Sequence, residues 1–163
     1  MVDKLEHIKE AKYNLYGSEW RRDYFNCDNG GYLVVDKQRI EHSKISKNEK
    51  EKFDKEYAMC TVLARNGYKI EMLMERSGFS SSDITINGIM AELKKTSSHN
   101  NILNYAKKAI HKQDAKIVVF EFEEMTQGIQ KELYKIQKLS IRVKYFTTKG
   151  KVVVDLSEIQ RPE

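Results

Sequence analysis

The pair Asn87-Gly88, set between the runs SDITI and IMAELKK, restricts the fold of this chain more than any other feature. A two-residue type I′ turn needs positive φ at both central positions, and Asn followed by Gly adopts it at least cost. The turn predicts a β-hairpin and fixes its register. Ile86 faces Ile89, Thr85 faces Met90, Ile84 faces Ala91, and Asp83 faces Glu92. With a side-chain period of two, Ile84, Ile86, Ile89, Ala91 and Leu93 point to one side of the sheet. Asp83, Thr85, Met90, Glu92 and Lys94 point to the other.

Periodicity places the neighbouring elements. Phe53, Tyr57, Cys60 and Ala64, with Leu63 beside them, trace one face of a helix that begins near Asn48. Asn66-Gly67 stops it, because both residues tolerate the left-handed conformation at a helix end. Tyr68 to Met74 alternates as a strand. After the hairpin, Thr96, Ser97 and Ser98 offer N-caps for a helix traced by Ile102, Ala106, Ala109 and Ile110. The run KIVVFEF, Lys116 to Phe122, reads as a strand buried on both faces and parallel to the one before the helix. A helix over about 126–138 turns Ile129, Leu133 and Ile136 inward, and strands at 141–146 and 151–156 follow. The fold class expected is α/β, a single mixed-sheet domain with core order α-β-β-β-α-β followed by α-β-β. Residues 48–163 form that domain, and residues 1–47, with a loop signal from Asp23 to Gly31 and a brief strand at 32–35, form an N-terminal arm.

Composition limits the function. A chain of 163 residues with 40% hydrophobic residues suits one core. No apolar run approaches the roughly 18 residues of a membrane span, and MVDKLEHIKEAKYNLYG has no apolar core of a secretory signal. The two cysteines, Cys27 and Cys60, supply neither a disulfide framework nor zinc-ligand spacing. A cytoplasmic location is expected. The net charge of +5 suits a polyanionic partner, although charges of both signs are scattered along the chain.

Asp83 opposite Glu92 is the unusual pairing. At a non-hydrogen-bonded hairpin position the two Cα atoms are only ~4.5 Å apart, and like charges facing each other there destabilise a sheet. A divalent cation, a shared proton or a neighbouring cation has to compensate, and Lys94 lies on the same face. Two carboxylates and a lysine on one face suit metal-assisted phosphodiester hydrolysis, with Mg²⁺ held by oxygen ligands and the lysine stabilising charge. Glu56, at the border of the apolar stripe of the first long helix, is a further metal-ligand candidate. The same alternation also fits a solvent-facing sheet with an ordinary Glu–Lys ladder.

An acid, a spacer of eight residues and then Glu92-Leu93-Lys94 resembles the PD-(D/E)xK nuclease signature, with Ser82 where a proline usually precedes the acid. From about Gly30 to Leu156, the segments GGYLVVDKQRIE, RNGYKIEML, DITINGIMAELKK, NNILNYAKKAI and KIVVFEF resemble nuclease domains of bacterial phages and conjugative elements. Those domains are grouped with contact-dependent inhibition tRNase toxins in the barnase–EndoU–colicin–RelE-like class. The first resemblance implies a metal-dependent nuclease. The second implies RNA cleavage, often without a metal, by basic and polar side chains, with tRNA, other RNA or DNA as partner and an immunity or mobile-element protein as a second one.

Further candidates follow from position. His99 at a helix entrance is placed to act as a general base, and the helix N-terminus beside it favours phosphate, with Ser98 adjacent. Arg142 and Lys144 share one face of a strand and suit a phosphate backbone, or the protection of a sheet edge. Trp20, Tyr24 and Phe25 beside Arg21 and Arg22 suit base stacking or packing of the arm. The function expected is a nuclease with catalytic Asp83, Glu92, Lys94 and His99. The alternative is a non-catalytic nucleic-acid-binding or protein-interaction module.

Overall fold

The computed structural model describes residues 10–74, 84–112, 115–139 and 141–156. It forms two compact units divided at the Asn87-Gly88 turn, one holding the described residues up to 74 together with 84–88, the other those from Ile89 onward. Both turn residues have positive φ, Asn87 at 50° and Gly88 at 83°, as a type I′ turn demands.

The first unit contains β1 (Trp20–Phe25), β2 (Tyr32–Asp36), α1 (Lys37–Ser43), α2 (Lys47–Arg65), β3 (Lys69–Met72) and β4 (Ile84–Ile86). Its strands lie side by side in chain order. β1 and β2 are antiparallel, β2 and β3 parallel, and β3 and β4 antiparallel. Residues expected to form only an arm with a brief strand therefore supply two strands and a helix of this unit. The expected boundary at residue 48 falls at the start of α2, inside it. Ser46 caps α2, its hydroxyl accepting from Glu49 N–H in a capping-box pattern. At the other end, Asn66 closes the helix and Gly67 takes φ 97°. Gly31 shows how tightly β2 approaches α2. A Cβ there would lie 2.0 Å from the carbonyl oxygen of Ala64, so only glycine fits. The apolar face of α2 (Phe53, Met59, Cys60, Leu63) is buried, as are Leu33, Val35, Ile70 and Met72 of the strands.

The second unit contains β5 (Ile89–Lys95), α3 (Ile102–Lys112), β6 (Ile117–Phe122), α4 (Gln127–Lys138), β7 (Arg142–Thr147) and β8 (Val154–Asp155). β5, β6 and β7 are parallel, and β8 runs antiparallel to β7. All six residues of β6 are buried, as its continuous apolar run requires. On one face, Val118, Phe120 and Phe122 pack with Ile102, Ala106 and Ala109 of α3 and Ile129, Leu133 and Ile136 of α4. Each large aliphatic side chain buried there contributes about 1.5–3 kcal/mol. Thr126 caps α4 through Ile129 N–H. α3 starts later than the expected caps: Thr96 Oγ1 accepts from Ser98 N–H and Ser98 Oγ from Asn100 N–H, so these hydroxyls shape a turn ahead of the helix.

The chain is thus of the α/β class with mixed strand pairing, and from α2 onward its elements follow the expected order.

Candidate functional site

β5 carries the Glu-Leu-Lys motif through the second unit. Glu92 pairs in register with Val118 and Lys94 with Phe120, so both side chains share the face on which Val118 and Phe120 meet α3 and α4. Glu92 is 7% exposed. A solvent-facing Glu–Lys ladder would leave it wet. A carboxylate at this depth costs several kcal/mol unless charge or hydrogen bonds compensate. Lys94 is half-buried, with Nζ 5.4 Å from the centroid of the Tyr105 ring on α3. The ring's negative face attracts the ammonium by about 0.5–2 kcal/mol and fixes where it points. Asp83, and with it the expected Asp83–Glu92 pairing, lies outside the described residues.

The opposite face of the same three strands is built differently. Lys95 Nζ lies 3.1 Å from Glu121 Oε2, and Thr148 Oγ1 donates to the same oxygen at 2.8 Å. Lys144 Nζ meets Asp155 Oδ2 at 2.6 Å, with both side chains largely buried. The Lys144 ammonium is therefore engaged inside the sheet, whereas Arg142, two residues earlier, is exposed. Sequence reasoning passed over Glu121 and Asp155. The signal for Glu121 was its place inside KIVVFEF, since an acid in a doubly buried strand must be partnered.

His99 is exposed, with its ring against the first turn of α4. A Cβ on Gly128 would come within 2.9 Å of His99 Cγ and Nδ1, so a glycine here is what admits the imidazole. Ser98 is half-buried and holds the turn before α3.

Glu56 belongs to the first unit, on α2, where its carboxylate pairs with Arg39 of α1. Arg39 also donates from Nη1 to the Leu73 carbonyl at 2.7 Å. A second polar group of this unit was not foreseen. Glu71 accepts from Thr85 Oγ1 at 2.6 Å and from Tyr16 Oη at 2.9 Å, and Tyr16 Oη lies 2.9 Å from Tyr32 Oη. Burial, reinforced by those two bonds, pushes the Tyr16 phenol far above its ordinary range. Two of the three aromatic residues considered for base stacking are engaged nearby: Trp20 stands edge-on to Tyr16 and Phe25 lies against Tyr13. Arg21 makes a two-pronged pair with Asp23. Tyr57 donates to Asp23 as well, and burial followed by that bond pushes its phenol up to about 12.

No group of three His, Cys, Asp or Glu side chains converges as a metal site among the described residues. Glu92 is an oxygen donor of the kind a hard cation takes, and a second donor from the motif would have to be Asp83. No helix among the described residues is long and apolar enough to cross a membrane.

No family model matches the sequence, and no curated protein matches it. Among solved structures, one chain of the CdiA-CT/CdiI toxin and immunity complex from Burkholderia pseudomallei is similar, with a TM-score of 0.52 over 69% of this chain and 89% of that one. The two sequences are 16% identical. The likeness is one of fold.

Proposed function

We propose that this chain is a nuclease of the toxin kind, cleaving phosphodiester bonds at the β5 motif. The observation that carries the proposal is Glu92, an acid kept at 7% exposure on the strand face it shares with Lys94. A buried carboxylate on the same strand face as a lysine held on an aromatic ring is an arrangement that suits a functional site. The likeness in fold to a chain of a toxin–immunity complex supports the same reading.

In this reading Glu92 and Asp83 would hold a hard divalent cation, Mg²⁺ or Mn²⁺, which when bound supplies the positive charge that polarises the phosphate. Lys94, positioned by Tyr105, donates a hydrogen bond to a non-bridging phosphate oxygen as charge builds on it. The burial around Glu92 excludes competing water and strengthens both interactions. An immunity protein is the partner proposed beside the nucleic acid. A metal-free mechanism draws its support from His99, exposed against the first turn of α4, where an imidazole can act as general base beside a helix N-terminus.

The test incubates the purified chain with tRNA, single-stranded RNA and duplex DNA, in Mg²⁺ or Mn²⁺ and in chelator. Cleavage that needs the metal and is lost in Glu92→Gln is expected. Cleavage that persists in chelator and is lost in His99→Ala would replace the metal mechanism with the metal-free one. If no nucleic acid is cleaved under any condition, the chain is a binding module.

A further inference from the structure

The exposed side of α3 stands apart from the other charged surfaces. Helix ILNYAKKAIHK contains no acidic residue. Its inner positions Ile102, Ala106 and Ala109 are buried, while Asn104, Lys107, Lys108 and His111 are exposed. Five lysines elsewhere are matched by an acid, Lys44 with Glu41, Lys50 with Asp54, Lys95 with Glu121, Lys135 with Glu132 and Lys144 with Asp155, while others such as Lys47, Lys55 and Lys131 are single exposed charges on helices that also carry acids. Among the described residues neither Lys107 nor Lys108 makes an ion pair or a hydrogen bond.

A second observation ties this side of α3 to β5. Lys108 follows Tyr105 by three residues, so the two lie about 5–6 Å apart on neighbouring turns. The Tyr105 ring holds Lys94, two residues from Glu92. Positive charge therefore continues from the strand that bears the buried acid, across Tyr105, to the outside of the helix.

We infer that the outer face of α3 is where the phosphate backbone of a nucleic acid lies, with Lys107 and Lys108 as its principal contacts. The inference rests on the nucleic-acid reading of the β5 motif and adds the surface that presents the strand to it. Lysine meets phosphate as a point charge, so this surface reads charge and leaves base sequence unread. It takes single strands and duplexes alike.

The experiment measures binding of a fluorescein-labelled single-stranded RNA and of a labelled DNA duplex by anisotropy, in chelator, across a salt series. The wild type and the double variant Lys107→Glu/Lys108→Glu are compared, with circular dichroism confirming that both are folded. The double variant is expected to bind both ligands at least tenfold more weakly. Its slope of log affinity against log salt should fall by about 1.4 for the single strand and about 1.8 for the duplex, two phosphate contacts' worth. Unchanged affinity and slope in the folded double variant would overturn the inference, even if the protein cleaves nucleic acid. Loss of binding to polyglutamate with nucleic-acid binding intact would also overturn it, marking the face as a dock for an acidic protein. Binding through α3 without cleavage by the wild type in Mg²⁺ or Mn²⁺ would leave the inference standing and remove the nuclease reading. A double variant that does not fold is replaced by Lys107→Gln/Lys108→Gln, for which the same losses are expected.

Discussion

Alternate residues of β5, β6 and β7 send charged side chains to opposite faces of one small sheet, and the two faces handle them in different ways. On one, Lys95 and Thr148 close on Glu121, and Lys144 closes on Asp155. These groups neutralise each other and hold strands together. On the other, Lys94 rests on an aromatic ring and Glu92 is buried on the same strand face. A cation steadied by a ring keeps its N–H groups for a ligand, whereas a cation locked on a carboxylate has spent them. Lysines locked on carboxylates thus mark the face that maintains the sheet, and a lysine held on a ring marks the face proposed to do chemistry.

That contrast can be broken in several places. The largest effect is expected from Glu92→Gln, which keeps the size of the side chain and removes its charge. Cleavage should fall by at least about 10²-fold, out of proportion to any fall in melting temperature; equal losses of both would make Glu92 a structural acid. Next comes Asp155→Ala. It removes the carboxylate that holds the buried Lys144 ammonium and should cost about 3–5 kcal/mol in urea unfolding, while cleavage per folded molecule stays as in the wild type. A cost under 1 kcal/mol would mean that the pair is better solvated than its burial implies. Tyr105→Leu removes the ring under Lys94 and keeps an apolar side chain on α3. Cleavage is expected to drop about tenfold, which corresponds to about 1.4 kcal/mol of transition-state stabilisation; full activity would show that the ring does not position the lysine. The smallest effect is expected from Thr148→Val, which deletes one hydrogen bond to Glu121. Stability should fall by about 1 kcal/mol with cleavage unchanged, and any selective loss of cleavage would move chemistry to the face assigned to structure.

The sequence was most legible where local rules and burial agree. The Asn87-Gly88 turn, the stop of α2 at Asn66-Gly67 and the inward Ile129, Leu133 and Ile136 follow from backbone propensity and periodicity, and they occur as expected. The first 47 residues were legible only in part. β1 carries Arg21, Arg22 and Asp23 among its aromatics, and α1 begins at the residue after β2 ends, so neither offers a clean period. Glu92 and Lys94 were legible as a motif, and Asp83 as its third member lies outside the described residues.

The sequence by itself determined the turn, the order of elements from α2 to β8, and which residues of β5 share a face, because these depend on contacts a few residues long and on the strict period of a strand. Only the tertiary structure decided that Glu92 is buried, that Lys144 is bound to Asp155 eleven residues away, and that Lys94 rests on a ring of α3. Charge can be read residue by residue. Whether that charge is matched depends on which strands and helices become neighbours, and desolvation depends on everything packed around it.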